Sequence, residues 1–284
     1  MTRNSRPLAQ LLIIDPQNDF CDLPRQWWPL SPLDGLVTAP ALPVPGAHAD
    51  MQRLALWMAA QGQSLEQITV TLDSHQAYDI AHPAFWQQAD GGAVAPFTQI
   101  TAAQLRAGEY APRDAQQLQP SLQYLDALEA QGRYKLMVWP MHCEIGSWGH
   151  GVHADVLAAC RQWQEQQHRA VRTVFKGMNP WTEHYSAIRA EVPDVQDPAT
   201  NVNEGLLACL RASELVVIAG EASSHCVRAT TEHLVEHWQG DLSCLVLLTD
   251  CMSPVSGFEQ AHADFVQRMR ASGVRCETSA SFNI

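Results

Sequence analysis

The segment GEASSHCVRATTEHL, Gly220 to Leu234, follows the apolar run ELVVIA and carries one cysteine, Cys226, where that run gives way to a helical pattern. A cysteine two or three residues into a helix capped by Ser223 or Ser224 sits among unpaired backbone N–H groups at the positive end of the helix dipole. Both features favour thiolate over thiol and are expected to bring the pKa below its usual value of about 8.5, as a nucleophile requires. Taken alone, one cysteine of eight is better read as a small apolar residue packed under a helix.

A thiolate nucleophile needs a proton acceptor within hydrogen-bond reach. Successive helical residues point about 100° apart, so the adjacent His225 is expected to face away from the sulfur, at the surface or behind the site. Better candidates end other apolar runs: Asp15, closing AQLLIID, as the proton acceptor, and Lys176, closing AVRTVFK, as the cation that steadies carboxylate and sulfur. A second constellation lies in TLDSHQ and VWPMHCE. Asp73 and His75 are spaced i, i+2 and share one face of an extended segment. With His142 they would make a three-ligand metal site with open positions, a donor set that suits zinc, iron or manganese. Cys143, His150 and His153 in HCEIGSWGHGVH are rival ligands, read more simply as loop residues.

These residues must be positioned by something, and the chain alternates short apolar runs with longer amphipathic segments, the pattern of a parallel sheet with crossover helices. Strands are expected at 9–15, 67–73, 170–176, 214–220, 244–250 and 273–279, with a short extended piece at 135–140. Helices are expected at 46–62, 116–131, 153–167, 203–212, 224–238 and 257–272. The fold class is therefore α/β: an open, mainly parallel six-stranded sheet with helices on both faces, a single domain over 1–284. Asp15, Asp73, Lys176 and Asp250 all end strands, at the sheet edge where ligands bind in such folds. Two segments break the alternation. Residues 21–45 carry six prolines (24, 29, 32, 40, 43 and 45) and the pair Trp27–Trp28, and are expected to form an ordered loop. Residues 76–115, rich in Gly, Ala and Pro, read as a second long insertion; either is a lid, a subunit contact or surface decoration.

Composition narrows the partners. Apolar residues make up 46% and charged residues 17% of the 284, the balance of a folded globular protein rather than a disordered one. A net charge of −12 repels phosphate backbones and anionic membranes, so no nucleic acid and no membrane partner is expected. The N-terminal MTRNSRPLAQLLIIDPQ has too short an apolar stretch for a span and no small-residue cleavage site, which reads as a cytoplasmic protein. The eight cysteines form no CxxC pair and are expected to be free thiols.

Taken together, LLIIDPQNDF, TLDSH, VWPMHC, VFKG, GEASSHCVRAT and LLTDCMSP, in that order, resemble the isochorismatase-like cysteine hydrolases, and within them the nicotinamidase-like branch. The resemblance covers most of the chain and implies a Rossmann-like three-layer α/β/α fold. It implies a catalytic triad of Asp15, Lys176 and Cys226, and an oxyanion hole from the backbone N–H groups of Ala222 and Cys226 beside a cis Glu221–Ala222 peptide. It also implies a divalent metal, Zn2+ with Fe2+ or Mn2+ as alternatives, held by Asp73, His75 and His142, and a substrate ring between Phe20 and Trp139. The implied activity is hydrolysis of nicotinamide or a related aromatic amide to acid and ammonia through a thioester, by a homo-oligomer acting on a small-molecule amide. The chain departs from the family where HC is followed by EIGSWG, with Glu144 and Trp148 beside the pocket, and in the length of both insertions. These departures bear on the substrate. The alternatives are an amidase of the same superfamily taking an aliphatic or N-carbamoyl substrate, and a non-catalytic metal-binding or partner-binding protein on the same scaffold. Retention of all three triad residues disfavours the latter; vinyl-ether hydrolysis, as in true isochorismatases, does not depend on this cysteine.

Overall fold

The computed structural model describes residues 8–32 and 34–284. The charged N-terminal stretch, 1–7, and residue 33 of the proline-rich segment lie outside the described residues. Six strands form one sheet in which every neighbouring pair is parallel: β1 (Ala9–Ile14), β2 (Leu65–Asp73), β7 (Arg172–Lys176), β8 (Leu215–Gly220), β9 (Leu245–Leu248) and β10 (Arg275–Glu277). Their order is β10-β9-β8-β1-β2-β7. AQLLII of β1 and LVVIAG of β8 are buried at every position, which is why they read as apolar runs: a central strand covered on both faces has no wet side. The one polar residue, Gln10, donates its amide to the Cys209 carbonyl at 2.8 Å. Each fully buried Leu or Ile there contributes about 1.5–3 kcal/mol relative to exposure. The strand at the other edge, β7, is largely exposed until it reaches the buried Lys176.

Helices α1 (Ala47–Gln61), α3 (Leu118–Gln131), α4 (Ala154–Gln167), α5 (Glu204–Arg211), α6 (Cys226–His237) and α7 (Glu259–Ser272) occupy the expected segments. The chain runs outward from β1 in both directions, to β2 on one side and to β8 on the other. The strand order thus reverses at β1, and the crevice at the carboxyl ends of its neighbours is where such folds bind ligands.

The two insertions differ. The described residues of 21–45 make an ordered loop with one 3-10 turn, Arg25–Trp27, laid along the turn that follows β1 by hydrogen bonds from Leu42 N to Asp19 O (3.0 Å) and Val44 N to Phe20 O (3.0 Å). Residues 76–115 are not a plain loop. They hold β3 (Trp86–Gln88) and β5 (Tyr110–Pro112), an antiparallel pair, and β4 (Thr98–Ile100), which pairs with β6 (Leu136–Val138). A short helix, α2 (Ala102–Ala107), starts in a capping box of Thr101 and Gln104. These pieces enclose a second apolar cluster, in which Phe85, Trp86, Ile100 and Leu105 pack with Tyr124, Leu125 and Leu128 of α3. Three-residue strands are too short for alternation to show in a sequence.

Gly220 closes β8 opposite Ile14 with φ +126°, and a Cβ there would lie 2.0 Å from the Ile14 carbonyl oxygen. Only glycine tolerates both the angle and the approach. Gly220→Ala is therefore expected to destabilise the fold by at least about 2 kcal/mol, read as a lowered urea midpoint; an unchanged midpoint would show that the strand end yields freely.

Candidate active site

The ends of three strands and the start of one helix meet at one buried cation. Lys176, at the end of β7, is only 2% exposed, and its Nζ lies 2.9 Å from Asp15 Oδ2, 2.9 Å from Asp73 Oδ1 and 3.6 Å from Cys226 Sγ. It also donates to the His184 carbonyl at 3.1 Å. Asp73 pairs directly with Lys176 across the β2–β7 register. Asp15 follows β1 in a left-handed conformation (φ 45°), and Thr71 holds it from both sides: its hydroxyl donates to Asp15 Oδ1 at 2.5 Å and accepts the Asp15 N–H at 3.1 Å. Asp15, Asp73 and Cys226 bring one oxygen or sulfur each within 4.8 Å of one another.

Burial and charge decide the protonation states here. Burial opposes the Lys176 ammonium, but Asp15 and Asp73 overcome it and push its pKa well above the lysine range. Burial likewise acts to raise Asp73, yet Lys176 and His75 hold its carboxyl well below the usual range. For Asp15 burial wins over Lys176, with Asp73 adding to the rise, so this carboxylate is more basic than usual. The expectation of a lowered thiol pKa is not met: burial pushes the Cys226 thiol well up, and Lys176 only partly offsets it against Asp15 and Asp73. A helix terminus is too weak to override full desolvation.

The local backbone also differs from expectation. Cys226 is the first residue of α6, and the cap position is His225, with no side-chain cap. The serines are engaged elsewhere: Ser224 Oγ accepts the Val255 N–H (3.1 Å) and lies 2.9 Å from His225 Nδ1, while Ser223 Oγ lies 2.8 Å from His262 Nδ1. Because His225 precedes the helix, helical spacing does not govern it. It is buried and lines the same cavity as Cys226, where a place at the surface or behind the site was expected. The Glu221–Ala222 peptide is cis. Among the described residues, neither the Ala222 nor the Cys226 backbone N–H has an acceptor within the protein.

The cavity in front of Cys226 is walled by Phe20, Trp139, His142, Glu183, Tyr185 and His225, among others, and is narrow, about 20 Å³. Trp139 is fixed by its indole N–H donating to Tyr185 Oη at 3.0 Å, and Phe20 leans on His142 with centroids 5.3 Å apart. Burial pushes the Glu183 carboxyl up to about 7, with His75 opposing.

On the far side of Asp73 stand three imidazoles. His75 Nε2 lies 3.2 Å and His142 Nε2 3.5 Å from Asp73 Oδ2. Each ring is oriented through its other nitrogen, His75 Nδ1 by Asp79 at 2.9 Å and His142 Nδ1 by the Pro140 carbonyl at 2.8 Å, the usual outer support of metal-binding histidines. His82, from the 76–115 insertion, completes a group with His75 and His142 whose nitrogens lie within 4.8 Å of one another. Burial, with His142 and His75 nearby, pushes His82 down to about 2, so it is a neutral imidazole, and its Nδ1 is buried without a partner. One carboxylate and several oriented, neutralisable imidazoles fit a divalent cation.

Several contributors escaped the sequence reading. Thr71 was accessible to it, since i, i+2 spacing puts it on the face of Asp73. His82 had no such signal. Gln17, whose side-chain amide exchanges 2.8 Å bonds with the backbone N–H and C=O of Asp73, had only its nearness to Asp15. Asp250 does not join the site; its carboxylate holds Ser279 through two 2.7 Å bonds. Cys143 is buried, His150 meets Ser74 Oγ at 2.9 Å, and His153 caps α4 and meets His48 at 2.8 Å, so none of the three joins the imidazole group.

Behind the cis peptide, Glu221 Oε2 accepts the Ser253 N–H at 3.1 Å, and Asp50 accepts the Ser253 hydroxyl at 2.5 Å. Burial, then Asp50, pushes the Glu221 carboxyl well above its ordinary range. A carboxyl favoured in its protonated form by folding loses stability as pH rises from the unfolded value, about 4.3, toward the folded one. Glu221→Gln should therefore gain thermal stability relative to the parent as pH is raised above about 4.3, in paired melting curves; a constant difference across pH would mean the carboxyl is ionised in the fold.

Compared as a sequence, the chain matches no family model and no curated protein. Compared as a structure, it is similar to a nicotinamidase/pyrazinamidase from Acinetobacter baumanii, with a TM-score of 0.61 and 17% identity over 98% of this chain and 99% of that one. The yeast nicotinamidase gives 0.62 and 20% over 95% and 99%. The pyrazinamidase of Pyrococcus horikoshii, solved in complex with zinc, gives 0.52 and 16% over 96% and 99%. Across nearly its whole length, at low identity, the chain has the fold of the nicotinamidases and pyrazinamidases.

Proposed function

We propose that the chain is a cysteine-dependent amidohydrolase that converts a linear amide, nicotinamide or a related aromatic amide, and water into a carboxylic acid and ammonia. The observation that carries this reading is the buried ammonium of Lys176 set between a carboxylate, Asp15, and a sulfur, Cys226. A scaffold needing only packing has no use for so costly an arrangement.

In this reading Asp15, made more basic by burial, takes the thiol proton as Sγ attacks the amide carbonyl carbon. The carbonyl π pair moves to oxygen, and the N–H groups of Ala222 and Cys226 receive the oxyanion, an effect worth about 2.7–4 kcal/mol per donor. As the oxyanion collapses the C–N bond breaks, and Asp15 returns its proton to the departing nitrogen, releasing ammonia. Water then attacks the thioester with Asp15 as base; the C–S bond breaks and the sulfur recovers the proton, so one carboxylate serves as base, acid and base again. Lys176 keeps positive charge beside both the carboxylate and the sulfur throughout. The residues suited to hold a divalent cation are Asp73, His75 and His142, with His82 as a further nitrogen. When bound, zinc, iron(II) or manganese(II) would supply a Lewis-acidic anchor for a ring nitrogen or a water.

A second reading, an amidase for an aliphatic or N-carbamoyl substrate, is favoured by the narrowness of the cavity, about 20 Å³, which must widen by side-chain movement to seat a ring between Phe20 and Trp139. Ammonia release measured across nicotinamide, pyrazinamide, maleamate and an N-carbamoyl amino acid separates the two.

Cys226→Ala is expected to lower ammonia release by about 1,000-fold or more while leaving the far-ultraviolet circular dichroism intact. Full activity in that variant would exclude the thioester route. Asp73→Ala is expected to weaken metal retention about 10-fold or more, read as the metal-to-protein ratio by mass spectrometry after dialysis; an unchanged ratio would reject these ligands.

A further inference from the structure

Beside the cavity at Cys226 lies a second, larger pocket of about 250 Å³, and the two share Tyr185 and His225 as a common wall. Its outer lining contains three cations, Arg133, Lys135 and Arg228. Such a concentration is not background in a chain whose net charge is −12.

The arginines are held in place. Their guanidinium carbons sit 5.5 Å (Arg133) and 5.4 Å (Arg228) from the centroid of the Tyr134 ring, and both reach Glu232, at 2.9 and 3.0 Å. Glu232 also pairs with Arg268, so one carboxylate serves three arginines. The remaining acid, Glu191, stands 3.8 Å from Arg133, and burial pushes its carboxyl up to about 7, leaving it only partly ionised near neutrality. Lys135 is exposed and, among the described residues, has no carboxylate within ion-pair distance. Positive charge therefore exceeds negative charge at this wall. Tyr134 adds a buried hydroxyl that has no hydrogen-bond partner among the described residues. Guanidinium groups fixed by stacking and pairing lose little freedom when they meet a carboxylate, which makes such a wall a prepared anion site.

We propose that this pocket is a subsite for an anionic, carboxylate-bearing tail of the substrate, recognised by Arg133, Lys135 and Arg228 while the scissile amide lies in the narrow cavity past His225. The inference rests on the amidohydrolase reading and deepens its second form, an amide that itself carries a carboxylate: the inner cavity has room for the reacting group, and the rest of the molecule occupies the larger pocket.

The test uses the full chain carrying Cys226→Ala, so that nothing turns over, and measures equilibrium binding by calorimetry at low salt. The probes are glutaramate, a carboxylate-terminated amide, and glutaramide, its neutral counterpart of the same length. Glutaramate is expected to bind at least about 10-fold more tightly, an advantage that falls several-fold in 0.5 M salt because exposed charges are screened. The advantage should shrink in Lys135→Gln, an exposed position where folding is not at stake, and vanish in Lys135→Gln/Arg228→Gln. Equal affinities, no binding of either compound, or an advantage that survives the double substitution would overturn the subsite. Ammonia release by the unsubstituted protein is scored separately. Turnover of neutral amides without a charge preference in binding removes the subsite and leaves the hydrolase; a charge preference with no turnover of any amide removes the hydrolase and leaves an anion-binding pocket.

Discussion

A single ammonium group, Lys176 Nζ, holds this structure's site together. Its burial would cost several kcal/mol if it stood alone, and removing one partner of such a pair typically costs about 3–5 kcal/mol. Two carboxylates at 2.9 Å repay that cost, and each comes from a different strand. The ion pairs therefore tie the ends of β1, β2 and β7 to one point. They leave Asp15 and Asp73 unlike each other: one carboxyl is raised by burial, the other is held down by its neighbours. Two chemically similar residues thereby differ in basicity, one raised toward protonation and the other held as an anion facing imidazoles.

Asp73 joins two halves of the site. One oxygen faces Lys176 and the other faces His75 and His142, so a change in one half is felt in the other through a single side chain. The insertions finish what the sheet begins. The 21–45 loop is fastened through Asp19, whose carboxylate accepts N–H groups from Ala41 at 2.9 Å and Cys143 at 2.7 Å, linking this loop to the segment that carries His142. The 76–115 segment packs its own apolar cluster and thereby gains the rigidity to present His82. Irregular backbone carries functional groups well when a scaffold fixes it, and here part of that scaffold is the insertion itself.

The cavity before Cys226 is narrow, and the larger pocket beside it is lined by fixed positive charge. His225 stands at the boundary. Its Nδ1 lies 2.9 Å from the Ser224 hydroxyl, and burial with Arg228 pushes its pKa down to about 3, so the ring is neutral. A neutral ring at that position lies between the arginines and the sulfur without adding a charge of its own.

The linear order of residues determined the sheet and the residues at its rim, because a central parallel strand must be apolar on both faces and a polar residue closing such a run has few places to go but the carboxyl edge. Asp15, Asp73 and Lys176 were visible for that reason, and Cys226 because it stands where an apolar run gives way to a helical pattern. Tertiary structure alone decided the rest. His82 lies on short, irregular elements without periodicity, and its approach to His75 and His142 follows from how an apolar cluster far from the sheet happens to pack. The protonation of Cys226 turned on burial, which local helix position does not report, and His225 turned inward because it precedes the helix rather than belonging to it. Periodicity encodes which face of an element is dry; it does not encode which distant groups share that dryness, and that sharing sets the charges in the site.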